Sequence, residues 1–463
     1  MTETLKTISP VDGRIYVERP LESAAGIDRA LDCARATQHV WGALSLTARC
    51  EVLGRSIDAF VAKGADIAAE ITWQMGRPIR QAPGEIRGFE ERARYMLQVA
   101  PQALAAVEPG PKQGFKRQIK RVPLGVVAVV APWNYPYLTA VNAVLPALIA
   151  GNTVVLKHSH QTPLCAERML EAFAAGGVPA GVFQYLHLSH ADTARLMGDT
   201  RIASVCFTGS VSGGRAVVQA TADGFATSGL ELGGKDPAYV RADANLAHAV
   251  DTLTDGAFFN AGQSCCGIKR IYVAAPRYDE FVAGVVDLTQ KYRLGSPLDT
   301  ETTLGPMVRT AAAESVRSQV RDAVSAGARQ LIDPALFAAS LAGTPYLAPQ
   351  VLIDVDHSMR IMREETFGPA VGIMKVNSDE EALRLMNDSE FGLTAAIFSA
   401  DAARAEVLGD ELETGTVFLN RCDYLDPALA WTGVKHSGRG CTLSSLGFEQ
   451  MTRPKSYHFK VTL

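Results

Sequence analysis

The spacing of apolar residues changes character near Val122. Upstream the pattern is helical, and the first hundred residues read as helix. Ala24 to Trp41 carries apolar residues at helical spacing, and Ser45 is a candidate cap for a helix beginning at Leu46. A third helix is predicted over Glu85 to Ala105, after which Pro109-Gly110-Pro111 breaks the pattern and Phe115 to Arg121 alternates as a strand does. From Val122 onward, short apolar strands alternate with helices. Strands are predicted at Gly125 to Val130, Thr153 to Lys157, Val182 to Leu186 and Ala203 to Phe207. A helix runs through Ala140 to Ala150, and another starts near Gly213. Thr162 as cap, Pro163 in the first turn and Gly176-Gly177 at the end frame one more. Such alternation predicts a doubly wound parallel sheet with ligands beyond the carboxyl ends of its strands.

A second alternation follows Glu231, which sets a boundary near residue 233. It comprises Ala238 to Val240, a helix from Leu246 through Phe259, Arg270 to Val273, and a helix from Tyr278 to Tyr292. The tail, Lys455 to Val461, alternates like an edge strand. A chain of 463 residues is too long for one core and implies two or three domains. Its net charge of −4 offers no basic field for nucleic acid or an anionic membrane. The longest apolar run, Val122 to Pro132, is too short for a membrane span. The N-terminus has no apolar signal segment, and the eight cysteines form no Cys-x-x-Cys pair. Disulfides and structural zinc are therefore not expected, and a cytoplasmic setting is.

Three segments carry chemistry. Cys265 stands in Phe258-Phe259-Asn260-Ala261-Gly262-Gln263-Ser264-Cys265-Cys266-Gly267, after a predicted helix. Glu231 opens Glu231-Leu232-Gly233-Gly234-Lys235, 34 residues upstream of that cysteine. Asn134 lies in Ala131-Pro132-Trp133-Asn134-Tyr135-Pro136, directly after an apolar strand. A thiol nucleophile, a carboxylate to activate water and an amide donor for an oxyanion suit covalent chemistry at a carbonyl carbon. In isolation, the two cysteines fit small buried hydrophobes, the glutamate a surface group and the asparagine a turn.

At these residues the chain resembles the aldehyde dehydrogenase superfamily over nearly its whole length. The resemblance implies a Rossmann-like dinucleotide-binding domain from 1–107 and 124–233 and an α/β catalytic domain over 234–440. A small β oligomerisation element is implied from 108–123 and 441–463. Cys265 then matches the family's nucleophile, Glu231 its base and Asn134 its oxyanion donor, with Cys266 a bystander. Phe207-Thr208-Gly209-Ser210-Val211-Ser212-Gly213-Gly214 resembles the cofactor loop. In it Gly209 and Gly214 let backbone amides approach a pyrophosphate, and Ser210 takes the phosphate-contacting position. Lys157 matches the lysine that contacts the adenosine ribose, Glu365 the residue that holds the nicotinamide ribose, and Phe367 and Trp133 their neighbours. The implied cofactor is NAD or NADP. His160 stands where NAD-preferring relatives carry a glutamate, so repulsion of a 2′-phosphate is lost. A metal pair of His158 and His160 lacks a third ligand. Two further departures are His187-Leu188-Ser189-His190, which lacks the glycines common in the adenine-side loop, and Ala430-Trp431-Thr432-Gly433 in place of a Pro-Phe-Gly-Gly opening.

By the same resemblance, Tyr135, Phe259 and Trp431 line the aldehyde channel, and Asn142 replaces a frequent tryptophan and widens or polarises it. Arg421 fits a semialdehyde carboxylate by paired hydrogen bonds, Asp423 and Asp426 fit an amino-aldehyde, and surface ion pairing fits all three. The activity implied is oxidation of an aldehyde to its acid. Reduction of an acyl phosphate or acyl-CoA on the same fold, or a non-catalytic binding role, are the alternatives. The two edge-like strands imply a homodimer or a homotetramer.

Overall fold

The computed structural model describes residues 3–422 and 424–462, and every statement below concerns these. Two sheets organise the chain. The first, of six strands, runs Gly438–Arg439, Thr227–Glu231, Ile202–Thr208, Val126–Ala131, Thr153–His158, Phe183–Tyr185, all parallel except the first. Its central strands Val126–Ala131 and Thr153–His158 are buried at every position, as parallel strands covered on both faces must be. The two faces divide by alternation. Val127 and Val129 pack with Trp41, Phe60, Phe89 and Tyr137 on one side, while Val126, Ala128 and Val130 pack with Ile27, Leu31 and Val205 on the other.

From Val126–Ala131 the chain winds first toward Thr153–His158 and Phe183–Tyr185. It then returns to Ile202–Thr208 and Thr227–Glu231 on the opposite side. Loops leaving the two central strands therefore diverge and open a crevice at their carboxyl ends. The second sheet has seven strands in the order Arg329–Gln330, Gln350–Ile353, Ala370–Val376, Ile268–Ala274, Asp236–Val240, Thr394–Phe398, Thr416–Leu419. Only its first strand is antiparallel. Gly233 and Gly234 lie between the last parallel strand of one sheet and a central strand of the other.

Several elements follow the sequence closely. Ser45 caps Leu46–Ala62 by accepting from the Ala48 amide at 3.1 Å. Pro163–Gly176 ends on Gly177 in the left-handed conformation. The helical reading of the first hundred residues needs correction at its start, where Thr4–Ile8 and Ile15–Pro20 form an antiparallel hairpin. Leu5 and Thr7 face inward and their neighbours outward, a two-residue period too short to show in a helix-length window. The helix over Gly64–Met75 falls within the rest of that helical stretch. The helix after the asparagine begins at Pro136, earlier than Ala140, because proline fits a first helical turn.

Phe115–Pro123 and Thr452–Lys460 pair with each other over nine residues, from Thr452 opposite Pro123 to Lys460 opposite Phe115. This ribbon belongs to neither sheet and leaves Phe459 half exposed. No described helix is long and apolar enough to cross a membrane.

Candidate active site

The loop Pro132-Trp133-Asn134-Tyr135 leaves the central strand and is fixed by a buried ion pair. Arg77 reaches Glu85 at 2.5 Å and Asn260 Oδ1 at 3.2 Å, and donates to the Asn134 carbonyl. Its guanidinium also lies 4.6 Å from the Tyr135 ring centroid. The other Glu85 oxygen accepts from the amides of Tyr137 and Leu138, both at 2.9 Å, so this carboxylate caps the Pro136–Ile149 helix. Arg77 and Glu85 are 2% and 0% exposed. Buried charges are tolerated when their remaining hydrogen-bonding groups are satisfied, as here. Asn134 Nδ2 donates to the Gln263 carbonyl at 3.2 Å, which draws the amide to the cysteine loop.

Glu231 ends its strand opposite Thr208, and the Gly209 amide donates to the Glu231 carbonyl at 3.0 Å. Its carboxylate accepts from Thr442 at 2.5 Å and Thr208 at 3.0 Å. Burial raises its pKa above the usual glutamate range, against the pull of the two hydroxyls and Arg92. The next two glycines are places where a side chain cannot stand. A Cβ on Gly233 would meet Glu365 Oε1 at 2.2 Å, and one on Gly234 would meet the Cys265 carbonyl oxygen at 2.2 Å. The Glu-Leu-Gly-Gly string thus joins carboxylate, thiol loop and Glu365 at contact distance.

The thiol loop is unusual in its backbone. After the helix Leu246–Phe258, Asn260 and Ala261 adopt φ of 53° and 55°, a left-handed conformation costing about 1–3 kcal/mol per residue. Buried contacts hold it there. Lys269 Nζ donates to the carbonyls of Gly262 at 3.0 Å and Gly368 at 2.8 Å, and Gln263 spans Asn260 O and the Val308 amide. Desolvation lowers Lys269 to about 7. Cys265 and Cys266 are neighbours whose ionisation is opposed by burial. Contact with Cys265 lowers Cys266, and the same contact, with burial, holds Cys265 well above the thiol range. Ser264 Oγ lies 3.4 Å from the Cys266 sulfur. Cys266 lines the same cavity as Cys265.

The cofactor candidates gather at the crevice. Trp133 meets Phe367 edge to face, with centroids 5.6 Å apart. Glu365 accepts from the Gly234 amide at 3.3 Å, and desolvation raises its pKa. Lys157 is 6% exposed with no hydrogen-bond partner among the described residues, and burial lowers it to about 8. An ammonium so placed fits a ligand's hydroxyl acceptors. Gly209 and Gly214 flank the start of the Val211–Ala220 helix, where Ser210 accepts from the Gly213 amide at 3.1 Å. The Ser210 hydroxyl is thus engaged in capping its own helix. His160 Nε2 donates to Leu188 O at 2.6 Å, and its ring stacks near His190.

A cavity of about 400 Å³ contains Cys265, Cys266 and Glu231 in its wall, with Tyr135, Asn142, Phe259 and Trp431. Arg421 does not join them. It lies over the Tyr424 ring, 4.7 Å from the centroid, and lines with Asp426 an adjoining cleft that shares Tyr424, Leu425 and Trp431 with the cavity. Asp423 lies outside the described residues. Sequence reasoning missed Arg77, Glu85, Arg92, Thr208 and Thr442. Thr208 alone had a local signal, since it immediately precedes Gly209.

A doubly wound sheet whose crevice presents cysteine, glutamate and asparagine in this way is the architecture of a thiol-dependent oxidoreductase. The chain belongs to the aldehyde dehydrogenase family, whose sequence model matches residues 1–457. It is 34% identical over 444 residues to the succinate semialdehyde dehydrogenase (NAD(P)+) Sad of Escherichia coli K12, covering 96% of this chain and 95% of that one. It is likewise 34% identical over 470 residues to the 3,6-anhydro-alpha-L-galactose dehydrogenase of Streptomyces coelicolor, covering 99% and 93%. The crystal structure of succinic semialdehyde dehydrogenase from Streptococcus pyogenes with NADP+ superposes with a TM-score of 0.94 at 28% identity, covering 98% of this chain and all of that one.

Proposed function

We propose that the chain oxidises an aldehyde to the carboxylic acid with NAD or NADP. Glu231 takes the Cys265 thiol proton and releases it to solvent as the sulfur attacks the carbonyl carbon, and the Asn134 amide with the Cys265 N–H steadies the oxyanion. A bound nicotinamide supplies the hydride acceptor, which neither thiol nor carboxylate can replace. Loss of hydride from the thiohemiacetal leaves a thioester on Cys265. Glu231 takes a proton from water, whose oxygen attacks the thioester carbon, and the acid departs as the thiol is restored. The observation that carries this reading is the meeting of Cys265 and Glu231 in one cavity, with Gly234 against the Cys265 carbonyl.

Lys157 and Glu365 would hold the adenosine and nicotinamide riboses. The surroundings of His160 hold Lys157, His187 and His190, which suits a 2′-phosphate as well as a hydroxyl. The relatives named for NAD(P)+ and NADP+ support both forms. The division into 1–107 with 124–233, 234–440, and the ribbon segments 108–123 with 441–463 follows the same reading. The ribbon joins neither sheet, and its Thr452–Lys460 side supports assembly as a homodimer or homotetramer, while eight free cysteines support a reducing cytoplasm.

The test is Glu231→Gln beside Cys265→Ser. With aldehyde and NAD(P), Cys265→Ser abolishes nicotinamide reduction. Glu231→Gln retains a stoichiometric burst and slows steady turnover. Full steady-state turnover in Glu231→Gln would remove the glutamate from its role.

A further inference from the structure

Three arginines line the cavity that holds the two thiols and Glu231. Arg77 is committed to Glu85, Asn260 and the Asn134 carbonyl, and Arg87 is exposed at the rim. Arg92 differs from both. It is 8% exposed, and only Nη1 is bound, to Leu138 O at 2.8 Å and Asn142 Oδ1 at 3.2 Å. Both partners are neutral. No described carboxylate forms an ion pair with it, and its Nε and Nη2 hydrogens have no acceptor among the described residues. Burial lowers its pKa, yet a guanidinium remains charged in proteins.

The carboxylates facing Arg92 are otherwise engaged. Glu85 is held by Arg77, Glu91 accepts from the Tyr424 hydroxyl, and Glu231 is held by two threonine hydroxyls. A desolvated cation is costly unless an anion completes it. Gly84, Gly88 and Arg92 recur every fourth residue on the Pro83–Ala103 helix and share the face that lines the cavity, with Leu138 packed against Gly88. Asn142, on the facing helix, fixes the guanidinium through Nη1 and leaves the Nε–Nη2 edge free.

We infer that Arg92 selects the substrate by receiving, on that free edge, the carboxylate of an aldehyde acid whose carbonyl lies at Cys265. The inference rests on the aldehyde oxidation proposed above. A planar monoanion matches the two parallel N–H groups. One uncommitted guanidinium matches one negative charge, which favours a carboxylate over a phosphate ester. Asn142 is then a positioning residue.

The experiment compares 4-oxobutanoate with butanal, using wild type, Arg92→Met and Arg92→Lys with NAD(P). Wild type prefers 4-oxobutanoate in kcat/KM. In Arg92→Met the preference ratio falls at least thirtyfold, through KM for the charged aldehyde. Arg92→Lys keeps the charge but loses the fork, and retains an intermediate ratio. It carries the test should the methionine variant not fold. An unchanged ratio, with both substrates impaired alike, would make Arg92 only a strut between two helices and overturn the inference. A wild-type preference for butanal would overturn it too. Absence of nicotinamide reduction with every aldehyde would overturn the oxidation reading itself, and the wild-type arm alone reveals that.

Discussion

Thr442→Val isolates the control of Glu231. The substitution removes the shorter hydrogen bond to the carboxylate, 2.5 Å at Oε1, and leaves that of Thr208 at 3.0 Å. Valine preserves the shape, and the backbone bonds between Thr442 and Trp431, at 2.8 and 2.9 Å, do not use the hydroxyl. A hydrogen bond to a charged group contributes about 1.5–3 kcal/mol. This one favours the ionised carboxylate, whereas burial disfavours it. Losing the hydroxyl therefore moves ionisation to still higher pH. Because about 1.36 kcal/mol corresponds to a factor of ten, the ionised fraction on the acid limb falls by about tenfold or more. Rapid-quench measurement of thioester hydrolysis from pH 5.5 to 9 reads this directly (about the span in which a buried carboxylate titrates). The acid limb moves to higher pH, the alkaline plateau persists, and Thr442→Ser restores the original profile. An acid limb that stays in place in Thr442→Val would refute the reasoning, since the base would then not be the group Thr442 holds.

Gly234→Ala sets a Cβ 2.2 Å from the Cys265 carbonyl, so the thiol loop must move, and both turnover and iodoacetamide labelling of Cys265 fall by about a hundredfold, as a 1 Å misplacement implies. Equal labelling rates would sink that. Arg77→Met leaves Glu85 buried and unpaired, lowering stability by about 3–5 kcal/mol in denaturant titration. A loss under 1 kcal/mol, the scale of a surface pair, would show that water replaces the arginine. Truncation after Met451 removes one strand of the ribbon, and light scattering then reports monomers where the full chain assembles. An unchanged mass would locate the interface elsewhere.

Most of the doubly wound sheet was legible because its strands are buried on both faces. Val126–Ala131 is apolar throughout and cannot be mistaken for an exposed loop. The segments around Asn134, Glu231 and Cys265 were legible for a related reason: each compresses a strand or helix end and its turn into a few adjacent residues. What escaped notice is chemistry assembled across distance. Arg92 sits on an amphipathic helix, where an arginine ordinarily faces water, and only the packing of Pro83–Ala103 on Pro136–Ile149 buries it. Thr442 lies 211 residues from the carboxylate it holds. Arg421 shows the same limit, since the sequence puts it beside the channel and only the fold sets it over the Tyr424 ring in the adjoining cleft.

The arrangement also explains why carboxylate and thiol are coupled despite belonging to different sheets. Glu231 closes a strand of the first sheet, and Asp236 opens a strand of the second after only four intervening residues. That crossing cannot stretch, because consecutive Cα atoms are about 3.8 Å apart. It is also pinned sideways. Ser437, fully buried, donates to the Gly233 carbonyl at 2.7 Å and accepts from the Gly392 amide at 3.0 Å. Gly438–Arg439, directly after it, pairs with Leu230 and Glu231 at the edge of the first sheet. Any opening of the crevice that separated the sheets here would break that edge pairing and the Gly233 contact before it parted Glu231 from the cysteine loop. On the proposed function, a dinucleotide would then have the far side of the crevice, around Lys157 and His160, for entry, while Glu231 and the cysteine loop keep their spacing.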